Sequence, residues 1–297
     1  MIKVRVVDVV GMLNGECEVK GDQNASFIEV KPIEEATKDS LIWIAPEKNE
    51  KEKIACETSA KVVLCDRSLL EKSLLEEKTY IFVSNPRLIF CRILSAFFSP
   101  QKLKGIAQSS NIHSEAKIGR NCFIGPSTII GQCLIGDNCQ VMGNVTLYDN
   151  ITVGNNCIIH SGTVIGVDGF GVVENEYGGY EKIEHISDVH IGDNVEIFAN
   201  VSIARGNLAS TKIGDGVKIN NNVHIAHNVV IEENTIIAAN VTVCGSVYIG
   251  AKSWIGPSSV IRDGVTVGRD STLGMGAVLT KDMPRNRVWM GNPAREK

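Results

Sequence analysis

The chain of 297 residues carries 30 Lys and Arg against 34 Asp and Glu, a formal net charge of −4. That balance excludes a phosphate-backbone binder working by bulk positive charge, and no stretch reaches the roughly 18 consecutive apolar residues of a membrane span. Aromatic residues make up only 5% while glycine reaches 28, so the core has to be built from stacked Ile, Val and Leu rather than from rings.

The opening segment MIKVRVVDVVG lacks the charged, apolar and small-residue layout of a signal peptide, which predicts a cytoplasmic protein. Farther on, VRVVDVV, KVVLC and YIFVS read as short strands, and LIFCRILSAFF at 88–98 has the apolar spacing of a buried helix. Pro100 and QKLKG lead out of this region, so a small α/β domain is expected over 1–104.

A six-residue period then takes over. Ile118, Ile124 and Ile130 are followed, after one step of five, by Ile135, Val141, Leu147, Val153, Ile159 and Ile165. The register returns at Ile191, Ile197 and Ile203, and from Ile213 it runs unbroken to Leu279. Each repeat is a short strand with one inward aliphatic residue and a turn rich in Asn, Asp or Gly. Three repeats make one triangular coil, and about eight coils stacked at roughly 4.8 Å form a prism. A sandwich of short strands would show period two but not a period of six over this length. The expected class is mainly β: a parallel β-helix of hexapeptide repeats over 105–284 behind the small α/β domain, with a short basic tail at 285–297.

Two interruptions leave the prism. Residues 166–190 form a loop with three aromatics, and 206–211 (GNLAST) form a shorter one. A prism wall is flat, so loops that leave it are expected to wall a site. The nine cysteines are odd in number and include no CxxC pair, so they read as reduced thiols that act as small core hydrophobes.

Six histidines are available for chemistry. His224 and His227 flank the inward Ile225, so both leave the core-facing direction and sit on a face or corner, where a neutral imidazole suits general-base work or simply bonds a turn carbonyl. His185 and His190 have H-x4-H spacing, but no third ligand is evident, and no metal site is expected. Asp168, Gly169, Phe170 and Gly171 form a tight turn with a ring as lid. Lys182 nearby is placed either to meet a phosphate or to remain solvated. Arg262 and Arg285 belong to a basic end that suits a phosphate-carrying donor or a solvated cap.

Over nearly the whole chain these features resemble the UDP-3-O-acylglucosamine N-acyltransferases of lipid A biosynthesis. The resemblance is carried by PIEEATKDSLIWIA and SNPRLIFCRILSAFF in front, by IIHSGTVIGVDGFG and EKIEHISDVHIGDNVEIFAN, and most specifically by NNNVHIAHNVVI. It implies a left-handed prism, a nucleotide-binding front domain and a homotrimer with each site between two prisms. His227 matches the general base and Gly245 a backbone oxyanion donor. Trp43 falls where an aromatic stacks on uracil. Asp168, Phe170, Lys182, His224 and Asn228 fall on the substrate side, and Arg262, Gly264 and Arg285 on the donor side.

The chain departs from the family pattern at Asn49, Asn220, Ala204 and Gly264, where a tyrosine, an Asp that orients the base, the Asp of IDRG and a second histidine are usual. Its ending after GNPAR resembles coenzyme A-dependent sugar acetyltransferases of the same superfamily. The expected reaction moves a 3-hydroxyacyl group from an acyl carrier protein thioester to the amine of a UDP-linked glucosamine derivative, with no tightly bound cofactor. Two alternatives stay open: acyl-coenzyme A as donor to another nucleotide-linked amino sugar, and a sugar-nucleotide-binding scaffold without catalysis.

Overall fold

A computed structural model describes residues 2–297. They divide into two compact units, the first ending at Gln101 and the second spanning Lys102–Lys297.

The first unit is α/β. Its five-stranded sheet runs in the order Glu18–Lys20, Thr79–Val83, Val62–Asp66, Ser40–Trp43, Glu29–Val30, antiparallel only between the first pair. The inner strands Val62–Asp66 and Thr79–Val83 are buried throughout, as expected for strands covered on both faces. Helices lie at Lys51–Glu57 and Pro86–Ile93. The second of these starts where Asn85 accepts the Leu88 N–H and Pro86 occupies the first turn. One expectation fails here. VRVVDVV is a strand only at Val4–Arg5 and then a helix over Val6–Met12. Val6 and Val9, one helical turn apart, are fully buried, and Arg5 and Asp8 bond each other across the first turn. Packing there overrides the β preference of the valines.

The second unit is the prism. Its first wall starts at Gly105–Ile106, its second at Asn111–Ile112 and its third at Lys117–Ile118, and each later strand pairs in parallel with its equivalent on the next coil. Ile106 and Ile112 extend the six-residue register two repeats before Ile118, completing the first coil, and Ile106 is exposed. Inward residues such as Ile219, Ile225, Ile237 and Val243 are fully buried, each contributing roughly 1.5–3 kcal/mol of apolar burial. The corners are held by Asn in the left-handed region, which tolerates it better than most residues: Asn138, Asn156, Asn194, Asn222, Asn228 and Asn240 all have φ between 56° and 61°. At the far end the chain does not trail off as a tail. Val288–Met290 pairs in parallel with Thr272–Leu273, and Arg295–Glu296 folds back against it. Among the described residues no helix is long and apolar enough to cross a membrane.

Candidate active site

Both loops that interrupt the coils leave at one corner, between the second and third walls. On the second wall Val164–Val167, Ser202–Ala204, His224–Ile225, Thr242–Val243 and Val260–Ile261 are successive neighbours. On the third wall their followers are Val189–Ile191, Thr211–Ile213, Val230–Ile231, Tyr248–Ile249 and Thr266–Val267. The long excursion therefore occupies 168–188, the short one 205–210, and the next three turns carry His227, Gly245 and Gly264 in order along the corner.

The long excursion contains a hairpin, Val172–Glu174 against Tyr180–Lys182. Its return leg is tied down: the Ile186 N–H donates to Asn207 O at 3.1 Å and the Ser187 N–H to Gly206 O at 3.1 Å. Arg205 braces its base, donating through Nε to Gly166 O at 2.7 Å and through Nη2 to Asp149 O at 3.0 Å. So anchored, the loop reaches two coils along the corner and sets the His185 ring against His227, centroids 5.1 Å apart and edge to face.

The short excursion orients the histidine. Asn228 Nδ2 donates to Ala209 O at 2.7 Å, so the amide oxygen faces the other way and receives the His227 Nδ1–H at 2.8 Å. The amide is assigned by the network it completes, and it places the imidazole proton on Nδ1. Nε2 then carries the lone pair. Gly245 lies one coil on, against this nitrogen: a Cβ there would sit 2.8 Å from Nε2 and 2.7 Å from Cε1. At several corners the N–H two residues past the inward aliphatic is capped by a side chain of the next coil, as Arg120 by Asp137 and Asp193 by Asp215; at others, such as His227 and Ala251, it is not. The Gly245 N–H has no acceptor among the described residues. A histidine whose Nδ1 is engaged thus lies beside a glycine whose N–H has no acceptor among the described residues, and groups of this kind can take a proton and hold a developing oxyanion.

The other expected residues divide. Lys182 bonds Asp168 and approaches Glu184 at 3.4 Å. The Lys182 hydrogen bond holds the Asp168 carboxyl below its usual range against opposing desolvation, and the charges of Lys182 and Arg205 add to it. Phe170 is 88% exposed on the excursion. His224 lies on the second wall; although part of it reaches solvent, burial lowers its imidazole pKa. Asn228, expected to contact substrate, has its amide committed to His227 and Ala209. Asn220 does not reach the base, since its Oδ1 accepts the Asn221 N–H at 2.7 Å. Arg262 and Gly264 are exposed at this same corner, two coils past His227, and a Cβ on Gly264 would meet only open space. Arg285 is exposed at a different corner, beyond the Val267–Met283 bridge of the third wall. In the first unit Trp43 is half-buried and one face stacks on Phe90, ring centroids 5.6 Å apart.

Sequence reasoning missed three participants: His185, Arg205 and the orienting role of Asn228. Arg205 and Asn228 had a local signal, being adjacent to the short break and to His227. His185 had only its place in a loop. His190 is separate from it, bonding Asp188 at 3.0 Å. Among the described residues no group of three or more His, Cys, Asp or Glu could hold a metal ion.

Residues 132–166, 210–245 and 246–281 match the family model of the bacterial transferase hexapeptide (six repeats). The chain is 46% identical over 220 residues to the UDP-3-O-acylglucosamine N-acyltransferase of Marinomonas sp. (strain MWYL1), covering 67% of this chain and 62% of that protein. It is 41% identical over 223 residues to the enzyme of the same name from Saccharophagus degradans, covering 68% and 63%. The chain thus spans less than two thirds of the length of these relatives. Among solved structures, the UDP-N-acetylglucosamine acyltransferase of Bacteroides fragilis 9343 superposes with a TM-score of 0.59 at 28% identity, over 65% of this chain and 74% of that one. LpxA from Acinetobacter baumannii superposes with a TM-score of 0.59 at 30% identity, over 65% and 73%.

Proposed function

We propose that this chain, which belongs to the UDP-3-O-acylglucosamine N-acyltransferase family of hexapeptide-repeat acyltransferases, moves an acyl group from a thioester to the amine of a UDP-linked glucosamine derivative, as in lipid A biosynthesis. The observation that carries the reading is the 2.8 Å contact of His227 Nδ1 with Asn228 Oδ1, which turns Nε2 to the side where Gly245 lies. In the proposed reaction the sugar amine attacks the thioester carbonyl while His227 Nε2 takes its proton. The carbonyl oxygen becomes an oxyanion and is held by the Gly245 N–H. Collapse forms the amide, breaks the carbon–sulfur bond and expels the thiolate, which takes the proton back from the imidazolium. Asn228 is a neutral partner, so it sets the ring's tautomer and angle without a carboxylate's charge to stabilise the imidazolium.

The acyl donor is assigned to a carrier with a phosphopantetheine arm, acyl carrier protein in the leading form. Exposed Arg262 suits its phosphate, and the open space at Gly264 leaves room for the arm along the corner. Arg285, on another corner, serves a donor only through the carrier's wider surface. Asp168, Lys182, Phe170 and His224 are assigned to the acceptor side. The uracil is assigned to Trp43, in a 1–104 nucleotide-binding domain, and the assembly to a homotrimer in the cytoplasm.

The test is an assay of purified protein with UDP-glucosamine and, in parallel, 3-hydroxyacyl-acyl carrier protein and the matching acyl-coenzyme A. The reading expects an amide product, identified by mass, with turnover higher on the carrier protein. Turnover on coenzyme A alone overturns the donor assignment. No amide with either donor overturns the transfer reading and favours a binding scaffold.

A further inference from the structure

The corners of the prism are tied by backbone bonds that run along the stack. At a regular step the N–H three residues past an inward aliphatic donates to the carbonyl two residues past the inward aliphatic of the coil before. On the corner of the two excursions Asn150 donates in this way to Gln132 O at 3.0 Å, Ser246 to His227 O at 2.9 Å and Gly264 to Gly245 O at 2.9 Å. Between those steps the excursions interrupt the ladder. The chain leaves the prism at Asp168, and Arg205 Nη2 donates to Asp149 O at 3.0 Å where the backbone would have done so. Farther along, the Asn228 N–H goes not to Arg205 O, the regular acceptor, but to Thr211 Oγ1 at 3.0 Å.

Both substitutes act on the surroundings of His227. Thr211 is fully buried, and its bond fixes the backbone of Asn228, whose Oδ1 lies 2.8 Å from His227 Nδ1. Arg205, its side chain 14% exposed, also donates through Nε to Gly166 O at 2.7 Å and so sets the exit of the long excursion. Three residues on, Gly169 lies against the ring: a Cβ there would be 2.8 Å from His227 Cβ and Cδ2.

We infer that Arg205 and Thr211 are positioning residues for His227, their side chains standing in for the corner bonds that the two excursions remove. This rests on the transfer reading above, in which the angle of the ring decides whether Nε2 meets the amine. A loop that leaves a corner takes backbone donors and acceptors away with it, and a buried peptide group left unpaired is costly. Arg205 opens the short excursion and Thr211 follows it, so the replacements come from the segment that causes the break. Thr163 supplies the comparison. It too lies two residues before an inward aliphatic and is fully buried, and its hydroxyl accepts the Val201 N–H at 3.2 Å and donates to Phe198 O at 2.8 Å. It stands at the corner between the first and second walls instead.

The experiment measures kcat, both KM values and Tm for wild type, Thr211→Val, Thr211→Ser, Arg205→Met and Thr163→Val. The acceptor is a UDP-3-O-acylglucosamine and the donor is the thioester that wild type turns over. The same proteins, carrying isotope-labelled histidine, are compared by NMR, with the His227 signal identified by its loss in His227→Ala. Valine keeps the volume of threonine without the hydroxyl, and serine restores the hydroxyl. The inference expects kcat to fall about tenfold in Thr211→Val and Arg205→Met with KM unchanged, recovery in Thr211→Ser, and a shifted His227 signal in the two impaired variants. Thr163→Val is expected to lose as much Tm as Thr211→Val with wild-type kcat and an unmoved His227 signal. Should Thr211→Val or Arg205→Met fail to fold, Thr211→Ala or Arg205→Gln replaces it. Wild-type kcat in either impaired variant overturns the inference for that residue. An equal fall of kcat in Thr163→Val, or a loss that Thr211→Ser does not recover, overturns it altogether. Wild type that forms no amide overturns the transfer reading alone, and the His227 signal then decides: a shift in Thr211→Val and Arg205→Met but not in Thr163→Val upholds the positioning role, and no shift overturns it.

Discussion

At the scale of single residues, the His227 ring is held by a neutral amide, that of Asn228, where a carboxylate would be the usual partner. His227 sits in a turn whose next residue, Asn228, has to adopt a left-handed conformation, and Asn does so readily. The same side chain then accepts the Nδ1 proton while giving its own N–H to Ala209. One residue serves the fold and the chemistry together. Gly245 is the complementary case, since its missing side chain leaves the space at Nε2. Gly245→Ala would bring a methyl to 2.7 Å from the ring. The ring can swing aside, so this variant is expected to fold with nearly wild-type Tm and to lose most of its kcat; Asn228→Ala, which frees the ring's angle and tautomer, should lose part of it. Steady-state kinetics on the two variants checks this, and full activity in Gly245→Ala would remove that residue from the site. Hexapeptide spacing says which side chains leave the core and so singled out His227 as a candidate, whereas Gly245 came only from the family resemblance. His185 was not, because its meeting with His227 depends on how far an irregular loop reaches along the corner, and no periodicity encodes that.

At the scale of elements, the hexapeptide unit explains why the prism could be read from sequence and the front unit less well. Each repeat makes the same decision: one aliphatic inward, one left-handed corner, one strand of two or three residues paired to its equivalent on the next coil. Errors cannot accumulate in such a pattern, so Ile191 resumes the register after a long loop as if nothing intervened. The corner residues carry the unit's strain. Asn240 is exposed at φ 59°, and its side chain has no hydrogen bond among the described residues. Asn240→Ala should therefore destabilise the prism by about 1 kcal/mol through backbone conformation alone, whereas Asn240→Gly should be close to neutral. Urea unfolding of the two variants separates them, and equal losses would mean that the corner conformation is not what Asn supplies. In the front unit VRVVDVV misled because β-branched residues suit a strand locally. Only the burial of Val6 and Val9 on one helical face, a tertiary fact, makes them a helix.

At the scale of the whole chain, stacking coils make a fold whose stability is spread along one direction, each coil supported by its two neighbours. Insertions at a corner then leave the walls intact, and both excursions share one corner with His227 and Gly245, the proposed base and oxyanion donor. The low ring count noted in the composition follows from the same design, since stacked single aliphatics leave little use for aromatics in the prism core. The consequence is that chemistry and stability are separable here: a corner side chain can be removed without opening a coil. The most direct test of the assigned site is therefore kcat and Tm measured together on His227→Ala. The account predicts turnover lower by roughly 10²–10⁴-fold with a Tm close to wild type. Turnover equal to wild type in a folded His227→Ala protein would contradict it.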